Sequence, residues 1–178
     1  FNMIHPDMNI REKGMQSIRL LIENCRTMGT NIVTICTGTN NPSDMWGGHP
    51  DNGKPESWKA LCSSLEKILR IAEDSKVIIG FEPELSNVVS SAKKGKQLME
   101  EMKSENLKVI FDPANLFEKG TSAEIEKNIA EGLDLLNENI IIVHAKDRLA
   151  DGTFTAAGKG VLPYGFFIKE LEKTGFDG

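Results

Sequence analysis

What this sequence lacks narrows the field first. It has three cysteines, Cys25, Cys36 and Cys62, an odd number with no CxxC spacing. Neither a zinc cluster nor a disulfide framework fits that pattern; buried, reduced thiols in a cytoplasmic protein do. No apolar run approaches the length needed to cross a bilayer, so no membrane partner is expected. No long basic run exists either, and 21 Lys and Arg face 26 Asp and Glu for a formal net charge of −5. A groove that tracks nucleic-acid backbone carries the opposite excess, which weighs against a nucleic-acid partner. There is no GxSxG and no P-loop. The GxG of "AAGKGVLPYGFF" lacks the strand and helix that a dinucleotide site needs around it. Gly158 and Gly160 are expected instead to let the backbone approach a substrate or a phosphate, with Lys159 adding charge.

What is present is ordinary for a globular protein. The chain is 39% hydrophobic and 26% charged, and its 178 residues suffice for one domain with a core. It begins at Phe1 without an initiator methionine and stops at "KTGFDG", a helix end and a turn. Neither end reads as a natural terminus, so the expectation is a single domain over residues 1–178, truncated at both ends.

Along the chain, apolar runs alternate with amphipathic stretches. Residues 9–28 read as a helix, with Met15, Ile18, Leu21, Ile22, Cys25 and Met28 on one face and Gly29 as its stop. "NIVTICTG" is a short buried strand ending near Thr37. After a long polar loop, Pro55 opens a helix whose face is Trp58, Leu61, Leu65, Ile68 and Ala72. "KVIIGFEP" and "LKVIFDP" are strands around a helix that turns Leu98, Met99 and Met102 inward. A capping box at Thr121 and Glu124 starts a helix through Ile125, Ile129, Leu133 and Leu136. "NIIIVHAKD" is a fourth strand; a Gly-rich loop and a last helix ending at Gly175 follow. Strands that are nearly continuous apolar runs are covered on both faces, as in parallel sheets, and strict alternation makes the class α/β. Periodicity leaves open whether the sheet is doubly wound or closes into a barrel.

One local pattern recurs: an apolar strand delivers a ligand-capable residue at its C-terminal end. These are Glu82 in "IIGFEPE", Asp112 in "VIFDPAN" and His144 in "IIVHAKD", 30 and 32 residues apart. About one βα repeat separates each pair, which puts all three side chains at the end of the sheet where α/β barrels keep their active sites. Two carboxylates and an imidazole converging there repel or sit unpaired unless a cation joins them. Mixed oxygen and nitrogen ligation suits one divalent ion: Mn, Mg, Co or Zn. Glu84 is the alternative ligand; Glu82 is preferred because it lies within the apolar run, immediately before Pro83.

Further polar residues fall on the same rim. Asn87, Asn115, Lys146 and Asp147 offer donors and acceptors to a hydroxylated substrate, although Asn87 and Asn115 equally suit turns. In the long loop "TNNPSDMWGGHPDNGKP", Trp46 and His49 are candidates for a lid over the site, or Trp46 for a plug in the barrel mouth.

The phrases "FNMIHPD", "CTGTNNPSDMWGGHPDN", "GFEPELSNVV", "FDPANLF" and "VHAKD", in that order, resemble the xylose isomerase-like (β/α)8 superfamily. The likeness is to its sugar-phosphate isomerase/epimerase (AP endonuclease family 2) type, which shares a fold with endonuclease IV. It implies a partial TIM-type barrel, about strands four to seven of eight. It also implies a single divalent metal held by Glu82, Asp112, His144 and a second Glu expected beyond Gly178. The implied chemistry moves a proton across a hydroxycarbonyl unit of a small sugar or sugar phosphate through a metal-stabilised enediolate, with Glu82 as one of two bases. Endonuclease IV relatives use extra His ligands, and this chain has only His5, His49 and His144. A hydrolase, lyase or phosphodiesterase use of the same metal is the first rival. The second is an inactive truncated barrel that self-associates, since an open parallel sheet leaves edges unpaired; a homo-oligomer is expected on that ground.

Overall fold

The computed structural model describes residues Phe1–Asp177. Its centre is a parallel sheet of β1 (Ile32–Cys36), β2 (Ile78–Glu82), β3 (Leu107–Phe111) and β4 (Ile140–Val143), paired in that order. The helices between them are α2 (Pro55–Ser75), α3 (Ala92–Met102) and α4 (Ser122–Leu136), with α1 (Met8–Asn24) ahead of β1 and α5 (Tyr164–Lys173) after the last strand. Each βα step returns the chain to the same end of the sheet, so every strand C-terminus lies on one rim.

Local sequence sets the helix starts. The Asp7 carboxylate accepts the N–H groups of Asn9 and Ile10, Pro55 occupies the first turn of α2, and Ser91 caps α3. Thr121 and Glu124 form the expected reciprocal capping box; such a cap is worth about 1 kcal/mol. α1 ends at Asn24, four residues earlier than the periodicity predicts, and Gly29 (φ 79°) closes the turn that follows. Leu21 and Met28 are 45% and 56% exposed rather than buried. The α1 residues that reach the core are Ile18 and Ile22, continued by Cys25 in the turn. Leu21 stands about 100° around the helix from Ile22 and so points outward.

The two faces of the sheet differ. Val33, Ile35, Ile79, Phe81, Leu107, Val109 and Phe111 are buried beneath the helices, against Leu61, Leu65, Ile68, Leu98, Ile129 and Leu133. The other face carries the register-matched Thr34, Gly80 and Lys108. Thr34 is exposed and Lys108 half-buried, so this face, the inner wall of a barrel, is partly open to solvent, while Gly80 and Ile110 on it are buried. Gly80 fits closely: a Cβ there would lie 3.2 Å from Ile110 Cγ1, which would have to shift slightly. The expectation of strands covered on both faces thus holds fully on the helix side and only in part on the other. The physical reason is that a barrel fills its interior with side chains from strands across the ring.

The end of the fourth strand also departs from expectation. β4 stops at Val143, and Lys146–Arg148 (β5) instead forms an antiparallel hairpin with Phe154–Ala156 (β6), within what reads as a Gly-rich loop. Asp147 causes the departure. Its buried carboxylate accepts the backbone N–H groups of Arg148 (2.8 Å), Gly160 (2.9 Å) and Leu162 (3.0 Å), folding the chain back on itself. Arg148 clamps the same hairpin through the carbonyls of Ala114 and Gly152, both at 2.7 Å. Gly160 is needed because a Cβ there would collide with the Arg148 carbonyl and the Asp147 carboxylate. Its close approach is therefore to Asp147.

Replacing Asp147 with Ala strands three buried or half-buried N–H groups and should destabilise the protein by about 3 kcal/mol in a urea titration. A loss near zero would show that the hairpin stands without it.

Candidate metal centre

The strand ends bring Glu82, Asp112 and His144 together. Glu82 is the last residue of β2, Asp112 directly follows β3, and His144 directly follows β4. A register shift between Val109 and Ile110 disturbs the β3–β4 ladder just before Asp112, the kind of irregularity that re-aims a strand end. The His144 N–H still donates to the Phe111 carbonyl (2.9 Å), which holds its backbone against β3. One ligand atom from each of the three residues lies within 4.8 Å of the others. No other group of His, Cys, Asp and Glu among the described residues converges in this way.

Asp112 is the fixed point. Its Oδ1 accepts the Ala114 N–H (2.9 Å), capping the short 3-10 turn Pro113–Asn115 and locking the side chain. That leaves Oδ2 aimed into the site, sealed from solvent and without a hydrogen bond of acceptable geometry. The Lys146 ammonium lies 2.8 Å from this oxygen, close enough for strong attraction although poorly aligned. His144 Nδ1 stands 3.4 Å from Glu82 Oε2 and 3.8 Å from Asp112 Oδ2. The Asp112 side chain is 0% exposed, Glu82 22% and His144 44%, so the cluster grades from sealed to open. Such a gradient suits a centre that meets a substrate on its His144 side.

Electrostatics follow from this crowding. Burial pushes the Glu82 carboxyl up from 4.5 to about 7, and the Asp112 charge pushes the same way; Lys146 and His144 oppose them only partly. An orphaned, buried carboxylate oxygen, a second carboxylate short of positive charge and an accessible imidazole fit a divalent cation of the hard-to-borderline kind.

The other rim residues divide into two groups. Asn115 and Lys146 join the cluster: Asn115 Nδ2 donates to Glu82 Oε1, while its Oδ1 accepts from Lys146 Nζ (3.3 Å). Lys146 Nζ also lies 4.6 Å from the Phe154 ring centre. Asn87, Asp147, His49, Trp46 and Lys159 make no hydrogen bond or ion pair with the triad. The buried Asn87 side chain accepts the Gly38 N–H at Oδ1 (2.7 Å), tying the loop after β1 to the loop after β2. Asp147 is fully buried in the hairpin, as described above. His49 uses Nδ1 to accept the Asp51 N–H (3.2 Å), Trp46 is 63% exposed, and Lys159 is exposed. The long loop is knotted rather than loose. Asn52 donates to Ser86 O (2.8 Å) and Thr39 Oγ1 (2.9 Å), and accepts the Asn40 N–H (2.8 Å).

Sequence reasoning missed Phe154, because nothing in "GTFTAAG" announces a hairpin. Cys36 pairs in register with Glu82, and burial raises its thiol, reinforced by the charges of Glu82 and Glu84 and opposed by the chain's amino terminus. A thiol held protonated in this way is a poor nucleophile.

The family described as xylose isomerase-like TIM barrel matches residues 1–178. No curated protein matches the chain. Among solved structures, a D-tagatose 3-epimerase-like protein superposes with a TM-score of 0.76 at 22% identity, covering 100% of this chain and 64% of its own. A xylose isomerase domain protein from Planctomyces limnophilus gives 0.75 at 18%, covering 99% and 60%. A 3-keto-D-glucoside 4-epimerase from E. coli gives 0.74 at 15%, covering 99% and 65%. At these identities the likeness is one of fold, and the chain spans somewhat under two thirds of each neighbour's length.

The raised Glu82 carboxyl has a measurable consequence. A group whose folded-state pKa lies above its unfolded value binds its proton more tightly when folded, so stability is lost as pH rises across that interval. Thermal melts in chelator should show the protein losing stability between pH 4.5 and about 7. Glu82→Gln should flatten that segment; an unchanged slope would contradict the assignment.

Proposed function

The chain belongs to the xylose isomerase-like TIM barrel family, and on that premise we propose a divalent-metal-dependent isomerase or epimerase of a small sugar or sugar-derived keto compound. The observation that carries this reading is the convergence of Glu82, Asp112 and His144 within 4.8 Å at the C-terminal rim. The epimerase names of two structural neighbours support the reaction class.

Glu82, Asp112 and His144 would hold one Mn, Mg, Co or Zn ion. Such an ion polarises a hydroxycarbonyl group and acidifies the adjoining C–H. Glu82 is the base that takes that proton. It sits at the partly open edge of the cluster, within reach of a bound substrate. Asn115 orients Glu82 through the hydrogen bond to Oε1, leaving Oε2 toward His144. Lys146 and Asn115 supply donors and acceptors for substrate hydroxyls. Trp46 offers an exposed indole face for a sugar ring, and His49 and Lys159 stand as outer polar contacts. Asn87 and Asp147 act through the backbone they hold.

The test is solvent exchange. In D2O with Mn2+ and a panel of ketohexoses and keto-sugars, the protein should place deuterium on the carbon beside the carbonyl, followed by NMR. Glu82→Gln should slow this by roughly 100-fold or more. Failure of every sugar to exchange above background would contradict the reading.

A further inference from the structure

Lys146 makes contacts that a role as a substrate donor does not by itself explain. Its ammonium lies 2.8 Å from Asp112 Oδ2, 3.3 Å from Asn115 Oδ1 and 3.8 Å from Glu82 Oε1. Two of those three oxygens belong to the carboxylates of the triad. A positive charge has therefore settled on the group of oxygens that a divalent cation would use, and it faces the one buried side-chain oxygen without a properly aligned partner. An ammonium and a divalent cation cannot share those oxygens, because each repels the other at contact distance.

The side chain also has a second anchor. Lys146 is the first residue of β5, and its backbone carbonyl is pinned by the Tyr164 hydroxyl (2.9 Å). Its Nζ already lies over the half-exposed Phe154 ring, 4.6 Å from the centre, and the Arg148 guanidinium stacks on the same ring at 3.8 Å. A lysine can rest over such a ring through cation–π attraction while its head stays hydrated. The lysine stem is flexible, while the backbone that carries it is braced by Asp147 and Arg148.

We propose that Lys146 is a built-in counter-cation of the metal centre: it neutralises Asp112 and Glu82 when no divalent cation is bound and is displaced from them, keeping the Phe154 ring as its remaining anchor, when one binds. This inference rests on the metal reading given above and adds to it a residue that sets metal affinity. Lys146 keeps two crowded carboxylates from repelling each other before loading. It lowers affinity in doing so, which favours an ion that is exchanged rather than permanently held. Once displaced, the same ammonium stands beside the site as a donor for a substrate oxygen.

The experiment is a calorimetric titration of Mn2+ alone into the 178-residue chain and its K146M and K146R variants. K146M should bind at least about tenfold more tightly than the native chain, because the competing charge is gone. K146R, which keeps the charge, should stay at or below native affinity. Native binding with K146M equal or weaker would overturn the counter-cation role and leave the metal centre standing. Binding by K146M but not by the native chain supports the role in its strongest form. Absence of binding in every form would overturn both readings.

A second measurement avoids any folding defect in the variants. In the native chain, reductive methylation at Lys146, followed by mass spectrometry, should accelerate several-fold when Zn2+ is added, while the exposed Lys159 serves as internal control. Equal rates with and without Zn2+ would overturn the proposal.

Discussion

Two carboxylates on neighbouring parallel strands, one of them sealed from water, cannot both stay ionised without positive charge nearby. Asp112 and Glu82 are in that position, and much of the rim can be read as the response to it. The Glu82 carboxyl rises to about 7, the Lys146 ammonium leans onto Asp112, and the His144 ring lies against both. A divalent cation would relieve the repulsion, fill the orphaned valence of Asp112 Oδ2 and give the imidazole a partner. The electrostatic difficulty and the chemical capacity of the site are the same feature.

The fold supplies this arrangement by repetition. Each βα step brings a strand end back to one rim, and the residue at that end is polar because the apolar run has just stopped. Finer placement comes from backbone hydrogen bonds to side chains. Asp112 is oriented by capping its own 3-10 turn, and the segment carrying Lys146 is held by Asp147 and Arg148. The buried polar residues around the site thus act mainly on backbone. That distinguishes them from Asn115 and Lys146, whose side chains touch the carboxylates directly.

The sheet, the helices and the triad were legible because they rest on signals the sequence carries locally. Short apolar, β-branched runs such as "KVIIGF" and "NIIIV" bounded by turns read as strands, and the spacing of Glu82, Asp112 and His144 translates directly into one ligand per repeat. The hairpin of Lys146–Arg148 with Phe154–Ala156 was not legible. Its strands are three residues long, mix charge with small residues, and form because Asp147 collects N–H groups from as far as Leu162. The same limit applied to the rim. A polar residue near a strand end looks alike whether it faces substrate or ties two loops together, and only the tertiary partners separate Asn87 from Asn115. At α1 the apolar positions exceeded the width of the buried stripe, so Leu21 and Met28 could not be told from Ile22 by type.

The central claim is that Glu82, Asp112 and His144 form a cation site, and metal content tests it most directly. Mass spectrometry would be applied to the purified chain and to a double variant carrying Glu82→Ala and His144→Ala, each after the same dialysis. The account predicts close to stoichiometric Mn, Mg, Co or Zn in the native chain and its loss in the double variant. Metal retained equally by both, or absent from both after loading, would contradict it.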